Sequence, residues 1–203
     1  MKTLLFNPRG SSKGGFSLVE TLVATSILLL VIVGPLTISS RAAKSSSFSA
    51  EQVTANFLAQ EGIEFAQKLR DDLFLQGTFL GGSVANPWAE FTNQSGAYAS
   101  CFSATGCGLN VNNSGVMLTP VVCNPAATTD PCDIFRSTAV GVVRSRFTHD
   151  SSVATTTLYT RTVKFTKTAN FELRVDSIVT WRTGSLVANQ QVRLGSSLFN
   201  IYE

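Results

Sequence analysis

Histidine and charged residues are scarce in this sequence of 203 residues. One histidine is present, and Lys, Arg, Asp and Glu together make up 14% of the chain, against roughly 25% in an average soluble protein. A single histidine and the absence of a C-x-x-C pair argue against a zinc site. The sequence also lacks phosphate-cradling glycine loops, paired-histidine motifs and nucleotide fingerprints. It therefore predicts no metal, no cofactor and no enzymatic activity.

The positive charge is confined to the N-terminal end. The formal net charge is +3, but Lys2, Arg9 and Lys13 lie among the first fifteen residues, which contain no acid. Without those three, thirteen basic side chains remain against thirteen acidic ones. A protein that binds nucleic acid usually concentrates basic residues on its folded body. Nucleic acid is therefore not indicated as a partner.

A long apolar run follows this basic segment and contains one charge. The run extends over residues 16–38, and as a helix it would be about 35 Å long, which is enough to cross a ~30 Å hydrocarbon layer. Glu20 is the one charged side chain within it. A carboxylate at the centre of a membrane costs roughly 2.5–3.5 kcal/mol, so Glu20 calls for a partner. A cut between Gly15 and Phe16 would place a new α-amine one turn before Glu20.

Residues 13–20, Lys-Gly-Gly-Phe-Ser-Leu-Val-Glu, resemble the prepilin cleavage and methylation motif of type IV pilins and type II secretion pseudopilins. The resemblance covers residues 13–38. It implies that residues 1–15 are a leader and that a prepilin peptidase recognises Gly14 and Gly15 and cuts between Gly15 and Phe16. It also implies that the same enzyme methylates Phe16 and that Glu20 acts in assembly by pairing with the N-terminus of a neighbouring subunit.

The resemblance also implies partners and a location. The partners would be other pilin subunits, the prepilin peptidase, the assembly machinery of the inner membrane and, before assembly, membrane lipid. The precursor would cross the bacterial cytoplasmic membrane once with its head outside the cytoplasm, and the filament would be periplasmic or on the cell surface. Two alternatives are an uncleaved signal anchor and a secretory signal peptide cut after residues 40–42, Ser-Arg-Ala.

Gly34 and Pro35 lie within the apolar run and predict a helix break. Proline has no N–H to bond back to the carbonyl four residues earlier, and glycine weakens a helix further. The residues themselves favour a simple kink. The resemblance to pilins implies instead a segment that loosens when the subunit leaves the lipid and enters a filament.

Residues 39–76 predict the amphipathic half of the same helix. Apolar residues recur from residue 51 at steps of three and four, which predicts one face against a core. The predicted core-facing residues are Val53, Phe57, Leu58, Phe65, Ala66, Leu69 and Leu73. The helix is predicted to end at residues 76–77, Gln-Gly.

Residues 77–203 predict an extracytoplasmic, β-rich head that begins with a long irregular loop over residues 77–113. Trp88, Phe91 and Tyr98 of that loop are predicted to pack on the sheet, with an exposed binding surface as the alternative. Two-residue alternation then predicts strands, with Tyr159, Val163 and Phe165 on one face, followed by Phe171, Leu173, Val175, Val179 and Trp181. The predicted fold class is α+β: a long N-terminal helix packed on an antiparallel sheet of four or five strands.

Four cysteines lie close together in this head. An even number in an exported chain favours two disulfides. Three pairings are possible, and the local one closes the shortest loops. The candidates are Cys101, Cys107, Cys123 and Cys132.

Two other groups of polar residues were considered for chemistry. Residues 149–152, His-Asp-Ser-Ser, contain the residue types of a catalytic triad but predict a solvated turn between strands. Asp130 and Asp133 lack the alternating ligand pattern of a calcium site.

The sequence thus predicts a structural filament subunit. Residues 177–181, 192–194 and 198–199 resemble the C-terminal hairpin of some minor pilins and minor pseudopilins, which favours a minor pilin. A secretion pseudopilin, and an adhesin or DNA-uptake pilin that binds through the 77–113 loop, remain as alternatives.

Overall fold

A computed structural model describes residues 14–78, 84–111, 116, 119–137, 146–151, 154–183 and 189–201 of the chain. The fold class is α+β, as predicted, with a long N-terminal helix and an antiparallel sheet. The chain divides into two compact units, Met1–Ser47 and Phe48–Glu203. The first unit is the N-terminal part of the helix, and the second contains the rest of the helix and the sheet.

Helix α1 extends over Leu18–Thr78, so it begins two residues after the predicted start and ends one residue beyond the predicted end. The amide of Thr21 donates to the carbonyl of Ser17 at 3.1 Å, which closes the first turn. Glu20 lies in this turn, where the positive end of the helix dipole favours an acid.

Two short helical segments lie in the part of the chain that was predicted to be an irregular loop. Helix α2 is Pro87–Phe91, and a 3₁₀ turn covers Ala99–Phe102. Asn86 caps α2, because its side-chain oxygen accepts from the amide of Ala89 at 2.9 Å, and Pro87 suits the first position of a helix. The loop prediction was therefore too simple for this segment, although residues 112–113 lie outside the described part.

The described strands number seven, more than the predicted four or five, because three of them are only two or three residues long. They are β1 (Cys107–Gly108), β2 (Val121–Val122), β3 (Asp133–Ser137), β4 (Arg146–Thr148), β5 (Ala154–Lys167), β6 (Glu172–Trp181) and β7 (Gln190–Phe199). All pairs are antiparallel. One edge of β5 pairs with β6, which pairs with β7, and β5 also pairs with β1 and β3. The long strand β5 is thus the centre of the sheet.

Two clusters of buried side chains hold α1 on this sheet. One cluster contains Ala55, Leu58, Ala59, Ile134, Tyr159, Val179 and Trp181. The other is larger and includes Ala66, Leu69, Leu73, Trp88, Phe91, Val163, Phe165, Leu173 and Val175. The prediction that Trp88 and Phe91 pack inward is confirmed, and Tyr98 packs partly buried against the same cluster.

The helix face that meets the sheet differs in part from the predicted one. Val53 and Phe57 were predicted to face the core but are 55% and 65% exposed. The contact runs instead through small residues, because these let the helix backbone approach the strands closely. The small residues of the contact are Ala55, Ala59, Gly62 and Ala66. Val53 and Phe57, each two positions from one of these small residues, lie outside the contact.

Phe171 was also predicted to face the core, and it is 59% exposed. Strand β6 begins only at Glu172, and Phe171 belongs to the tight turn between β5 and β6. The amide of Asn200, just after β7, donates to the carbonyl of Phe171 at 2.9 Å. The two-residue alternation does not extend into that turn, so it does not govern Phe171. The remaining predicted core residues of β6 are all buried.

The disulfides are Cys101–Cys107 and Cys123–Cys132, the local pairing among the three that the sequence left open. Their Cα atoms are 4.5 and 5.2 Å apart, within the range that a disulfide spans. The first joins the 3₁₀ turn to β1, and the second joins the segment after β2 to the start of β3.

Candidate assembly surface on the N-terminal helix

The segment before α1 is open to an approaching enzyme. Gly14, Gly15 and Phe16 are exposed and have no regular secondary structure, and Phe16 is 80% exposed. A Cβ added at either glycine would meet nothing within 4 Å. The backbone that the sequence marks for cleavage is thus accessible in this structure. Lys13 and the rest of the predicted leader lie outside the described residues.

The first part of α1 exposes all of its large apolar side chains. Between residues 18 and 38 the leucines, isoleucines and valines are 44% to 80% exposed. Among the described residues, α1 is the one helix long and apolar enough to cross a membrane, and none of its most apolar window is buried. Contiguous apolar surface of this extent marks a site for lipid or for protein. The surface is compatible with a single-pass membrane anchor.

The hydroxyl side chains on this surface bond to their own helix. Thr21 donates to the carbonyl of Leu18 at 2.9 Å, Ser26 to that of Leu22 at 2.8 Å, and Thr37 to that of Gly34 at 2.8 Å. Such back-bonding removes the cost of a hydroxyl in an apolar environment. These residues are therefore compatible with lipid or with a packed helix interface.

Glu20 differs from them because it has no internal partner. It is exposed, and no described residue donates a hydrogen bond or forms an ion pair with its carboxylate. A carboxylate on an apolar surface is stable only when it is paired or reaches water. The carboxylate of Glu20 therefore lies one turn from Phe16 without a partner among the described residues.

The structure does not divide the helix at Gly34 and Pro35, and the predicted kink there stays a prediction. Helix α1 is continuous through both residues. Because Pro35 has no N–H, the carbonyl of Val31 lacks its usual helical donor, and this weakens the helix locally. The neighbouring turns keep the backbone helical. Loosening of this segment inside a filament stays a prediction.

In the second unit, a buried arginine fastens α1 to the sheet. Arg161 of β5 is fully buried and forms an ion pair with Glu61 of α1. Its guanidinium also donates to the carbonyls of Leu58 at 3.3 Å and Leu109 at 3.1 Å. Its Cζ lies 5.0 Å from the centre of the Phe65 ring. Burial lowers the pKa of Arg161, and the charge of Glu61 opposes that shift.

Arg161 lies where two elements come close together. A Cβ added to Gly62 would lie within 3.0 Å of the Oγ of Ser177 and 3.1 Å from its Cβ. Arg161, Glu61 and Gly62 were not among the residues predicted to be important. One signal was available: Arg161 lies between Tyr159 and Val163, at a core-facing position of an alternating strand. A charged residue at such a position predicts an internal ion pair.

Asp176 of β6 is held on the other face of the sheet. It is buried, and Arg174 and Arg193 contact its carboxylate at 3.2 and 2.9 Å. Burial raises the pKa of Asp176, but the hydrogen bonds and the charges of Arg193 and Arg174 together lower it by more. This cluster ties β6 to β7, the last strand of the sheet.

The structure describes His149, Asp150 and Ser151 of the 149–152 segment, whereas Ser152 lies outside the described residues. His149 was predicted to lie in a solvated turn, but it is half-buried, its Nε2 is shielded from solvent, and its Nδ1 lies 3.1 Å from the carbonyl oxygen of Asp133. Burial and then the charge of Arg161 lower the pKa of His149 to about 3. The prediction was wrong because the imidazole contacts the backbone next to Cys132, a residue of the second disulfide, which the local sequence does not indicate.

Two acidic residues lie beside that disulfide and accept hydrogen bonds from the backbone and from a strand. Asp130 accepts from the amides of Asn124 and Cys132 at 2.9 and 3.0 Å. Asp133 accepts from the hydroxyl of Thr160 at 2.7 Å. The sulfurs of Cys123 and Cys132 lie near Asp130, but they are joined to each other in the disulfide. This cluster therefore holds a loop and offers no thiolate to a metal.

No family model matches the chain, and neither the curated proteins nor the solved structures that were compared with it include a match.

Proposed function

We propose that this protein is a structural subunit of a type IV pilus-like filament. Its leader is removed between Gly15 and Phe16, the new amine of Phe16 is methylated, and the subunit assembles through its N-terminal helix. One observation carries the proposal: Glu20, which has no partner among the described residues, lies in the first turn of an exposed apolar helix, next to an accessible Gly15–Phe16 bond.

The exposed apolar surface supports two successive environments for the helix. Before assembly, lipid surrounds residues 16–38 and the head remains outside the cytoplasm. On assembly, contacts with lipid are exchanged for contacts with other helices, so hydrophobic transfer contributes little net free energy. Close packing and polar pairing then decide where a subunit docks.

Glu20 supplies that pairing in the proposed mechanism. The amine of Phe16 on an incoming subunit lies at the same end of its helix as Glu20 does on the subunit already in place. An ion pair between them satisfies both charges inside the apolar core of the filament, where a single unpaired charge is strongly destabilising. The pair therefore fixes the axial register of each added subunit.

The size of the head and the C-terminal hairpin favour a minor subunit over a major one. A pseudopilin of a secretion system has the same N-terminal mechanism. The inward packing of Trp88 and Phe91 leaves those side chains unavailable to a ligand, which favours a structural role for the 77–113 loop.

The first prediction concerns the mature N-terminus. Filaments sheared from cells should contain this chain beginning at Phe16, with one extra methyl group on its amine, as read by N-terminal sequencing and mass spectrometry. For a minor subunit it should be scarce relative to the main component of the same preparation. A mature chain that begins at Ala43 would mean a discarded signal peptide and would overturn the proposal. Replacing Gly15 should block the cut, whereas Gly10→Ala, further from the bond, serves as the control.

A further inference from the structure

One edge of the sheet is formed by a long and regular strand, β7. This strand pairs with β6 through ten residue pairs without a shift in register, and no other described strand pairs with it. On the other side of the sheet, the outermost strands β2 and β4 are only two and three residues long. The sheet therefore ends in short strands on one side and in a ten-residue edge on the other.

The alternation of hydrogen bonds shows which backbone groups of β7 face outward. The amide of Asn200 donates to the carbonyl of Phe171, which is the residue opposite it when the register of β6 and β7 is continued. Bonded and non-bonded pairs alternate in an antiparallel ladder, so β6 bonds to the even-numbered residues of β7. The odd-numbered residues, which include Arg193, Gly195 and Ser197, point their N–H and C=O groups away from β6. No described residue bonds to these outward groups.

Strand β7 lacks the features that usually protect an edge strand from pairing. Protected edge strands are commonly short, bulged, interrupted by proline or lined with lysine. β7 contains neither proline nor lysine, its register is continuous, and its one charged residue is Arg193. The guanidinium of Arg193 reaches toward β6, where it contacts the carboxylate of Asp176 at 2.9 Å. The edge is therefore open to another strand.

The side chains beside this edge define what an added strand should contain. On the face toward α1, Val192 and Leu194 are half-buried and pack against the cluster that contains Trp181. An apolar side chain of an added strand would cover what these two residues leave exposed. On the opposite face, Arg174 and Arg193 share one carboxylate, so that cluster carries a net positive charge. An acidic side chain of an added strand would balance this charge.

We infer that β7 binds an extended segment of a different protein, which adds to the sheet as a further strand. The segment has apolar residues alternating with polar ones, and at least one of the polar residues is an acid. In this mode of binding, main-chain hydrogen bonds supply affinity and alternate side chains supply specificity. The inference goes beyond the proposed function, which uses the N-terminal helix, and it depends neither on the cleavage before Phe16 nor on Glu20.

Charge argues against a second copy of this chain as the occupant of the edge. β7 contains no acid, so the pairing of two β7 strands would bring together two clusters of net positive charge. Like charges that face each other across neighbouring strands are destabilising. A strand that contains an acid complements the edge better than β7 itself does.

Peptide binding to the full-length chain in detergent tests this inference. The probe is a short synthetic peptide in which valine alternates with threonine and glutamate, and the anisotropy of an attached fluorophore reports binding. We expect saturable binding. A matched peptide with methylated nitrogens at alternate residues loses its backbone donors along one edge, so it should bind about tenfold more weakly or worse. Lysine in place of glutamate should weaken binding several-fold at low salt and less at high salt.

Ser197→Pro tests the same edge on the protein. Proline removes the outward N–H of residue 197, which takes no part in the pairing with β6, and proline is tolerated at such positions of edge strands. Peptide binding should weaken about tenfold or more. Ser197→Ala is the matched control, because it removes the hydroxyl but keeps the N–H, and its binding should stay close to that of the unchanged chain. The fluorescence of Trp88 and Trp181 checks that both variants are folded.

The outcomes distinguish strand addition from its alternatives. Absence of saturable binding, or equal binding of the plain and the methylated peptide, would overturn the inference. Dimers of this chain that disappear with Ser197→Pro would overturn it too, because the occupant would then be a second copy. If Ser197→Pro does not fold, the two peptides on the unchanged chain still decide. A mature chain that does not begin at Phe16 would remove the proposed filament function and leave this inference in place.

Discussion

The contacts within the described part of the chain do not explain why Glu20 lies on an apolar helix surface. The helix dipole favours an acid in the first turn of α1, but that term contributes only about 0.3–1 kcal/mol. Placing a carboxylate in an apolar environment costs several times as much. In the proposed filament, that difference is offset by a cation of a neighbouring subunit. The amine of a neighbouring Phe16 is the cation that the proposed cleavage creates.

At this scale we predict that Glu20→Ala leaves membrane insertion and cleavage intact and lowers incorporation into filaments by tenfold or more. The physical reason is that the incoming amine would lose its partner in a desolvated interface, where an unpaired charge costs roughly 3–5 kcal/mol. Incorporation is measured as the share of the mature chain found in sheared filaments compared with the membrane.

Thr21→Ala is the matched control for Glu20→Ala. The Thr21 hydroxyl bonds to the carbonyl of Leu18 in its own helix, so its loss should leave incorporation near the wild-type level. If Glu20→Ala entered filaments as well as Thr21→Ala did, the pairing mechanism would be wrong. Glu20→Gln would then show whether size or charge matters at this position.

At the scale of elements, the contact between α1 and the sheet depends on the absence of a side chain. Gly62 lies on the helix between Ala59 and Ala66, at the point where Ser177 of β6 comes closest. Glycine normally weakens a helix by about 1 kcal/mol relative to alanine. Here that cost is offset because the backbone of α1 can approach β5 and β6. The close approach also brings Glu61 within reach of Arg161.

We predict that Gly62→Ala destabilises the folded chain by about 1–2 kcal/mol. The added methyl would lie within 3.0 Å of Ser177 Oγ, and overpacking of this kind typically costs about 1–3 kcal/mol, more than the gain in helix propensity. Urea denaturation of the full chain in detergent, followed by the fluorescence of Trp88 and Trp181, measures the change.

Gly34→Ala provides the comparison for Gly62→Ala. A Cβ at Gly34 meets nothing within 4 Å, so alanine there should not lower stability. Combining Gly62→Ala with Ser177→Ala should recover part of the loss, because the Oγ atom is removed. A chain in which both glycine substitutions have the same effect would show that the close approach at Gly62 does not matter for stability.

At the scale of the whole molecule, the head shields two basic side chains from solvent, which a count of charges does not reveal. Arg161 is fully buried and His149 is half-buried with its Nε2 shielded from solvent, and the charge of Arg161 is the second cause of the low pKa of His149, after burial itself. His149 is therefore neutral in the folded chain at any physiological pH. Once unfolded, it recovers an ordinary pKa of about 6.5.

This difference predicts that stability falls in acid. The folded pKa of about 3 lies below the unfolded value, so the unfolded chain binds an extra proton between these two values, and folding stability decreases as the pH falls through that window. Between pH 7 and pH 5 the expected loss is about 2 kcal/mol from this group. The lowered pKa of Asp176 adds a loss in the same direction, but only near and below its ordinary pKa of 3.8.

Denaturation at pH 7 and pH 5 checks this prediction, with His149→Gln as the comparison. Glutamine can donate to the carbonyl of Asp133 as the histidine does, and it does not titrate. The variant should therefore lose much less stability between the two pH values, even if it starts from a lower one. Equal losses in both proteins would mean that the buried ring does not control the acid sensitivity.

Features that depend on neighbouring residues could be predicted from the sequence alone. The apolar run, its single acid and the glycines before Phe16 depend on composition and spacing, so residues 14–38 could be interpreted without a fold. The alternation in β5 and β6 and the end of α1 near residue 77 were predicted correctly for the same reason, since period and turn residues are local signals. Four cysteines in a chain predicted to be exported likewise indicated two disulfides, but three pairings stayed possible.

Tertiary structure decided what depends on two distant segments meeting. It selected the local disulfide pairing, turned Val53 and Phe57 outward, and placed Gly62 against Ser177 and Glu61 against Arg161. A helical period fixes which residues share a face, but it does not fix which face a sheet can approach most closely. That choice depends on the size of the side chains on both partners, and 115 residues separate Gly62 from Ser177 in the sequence.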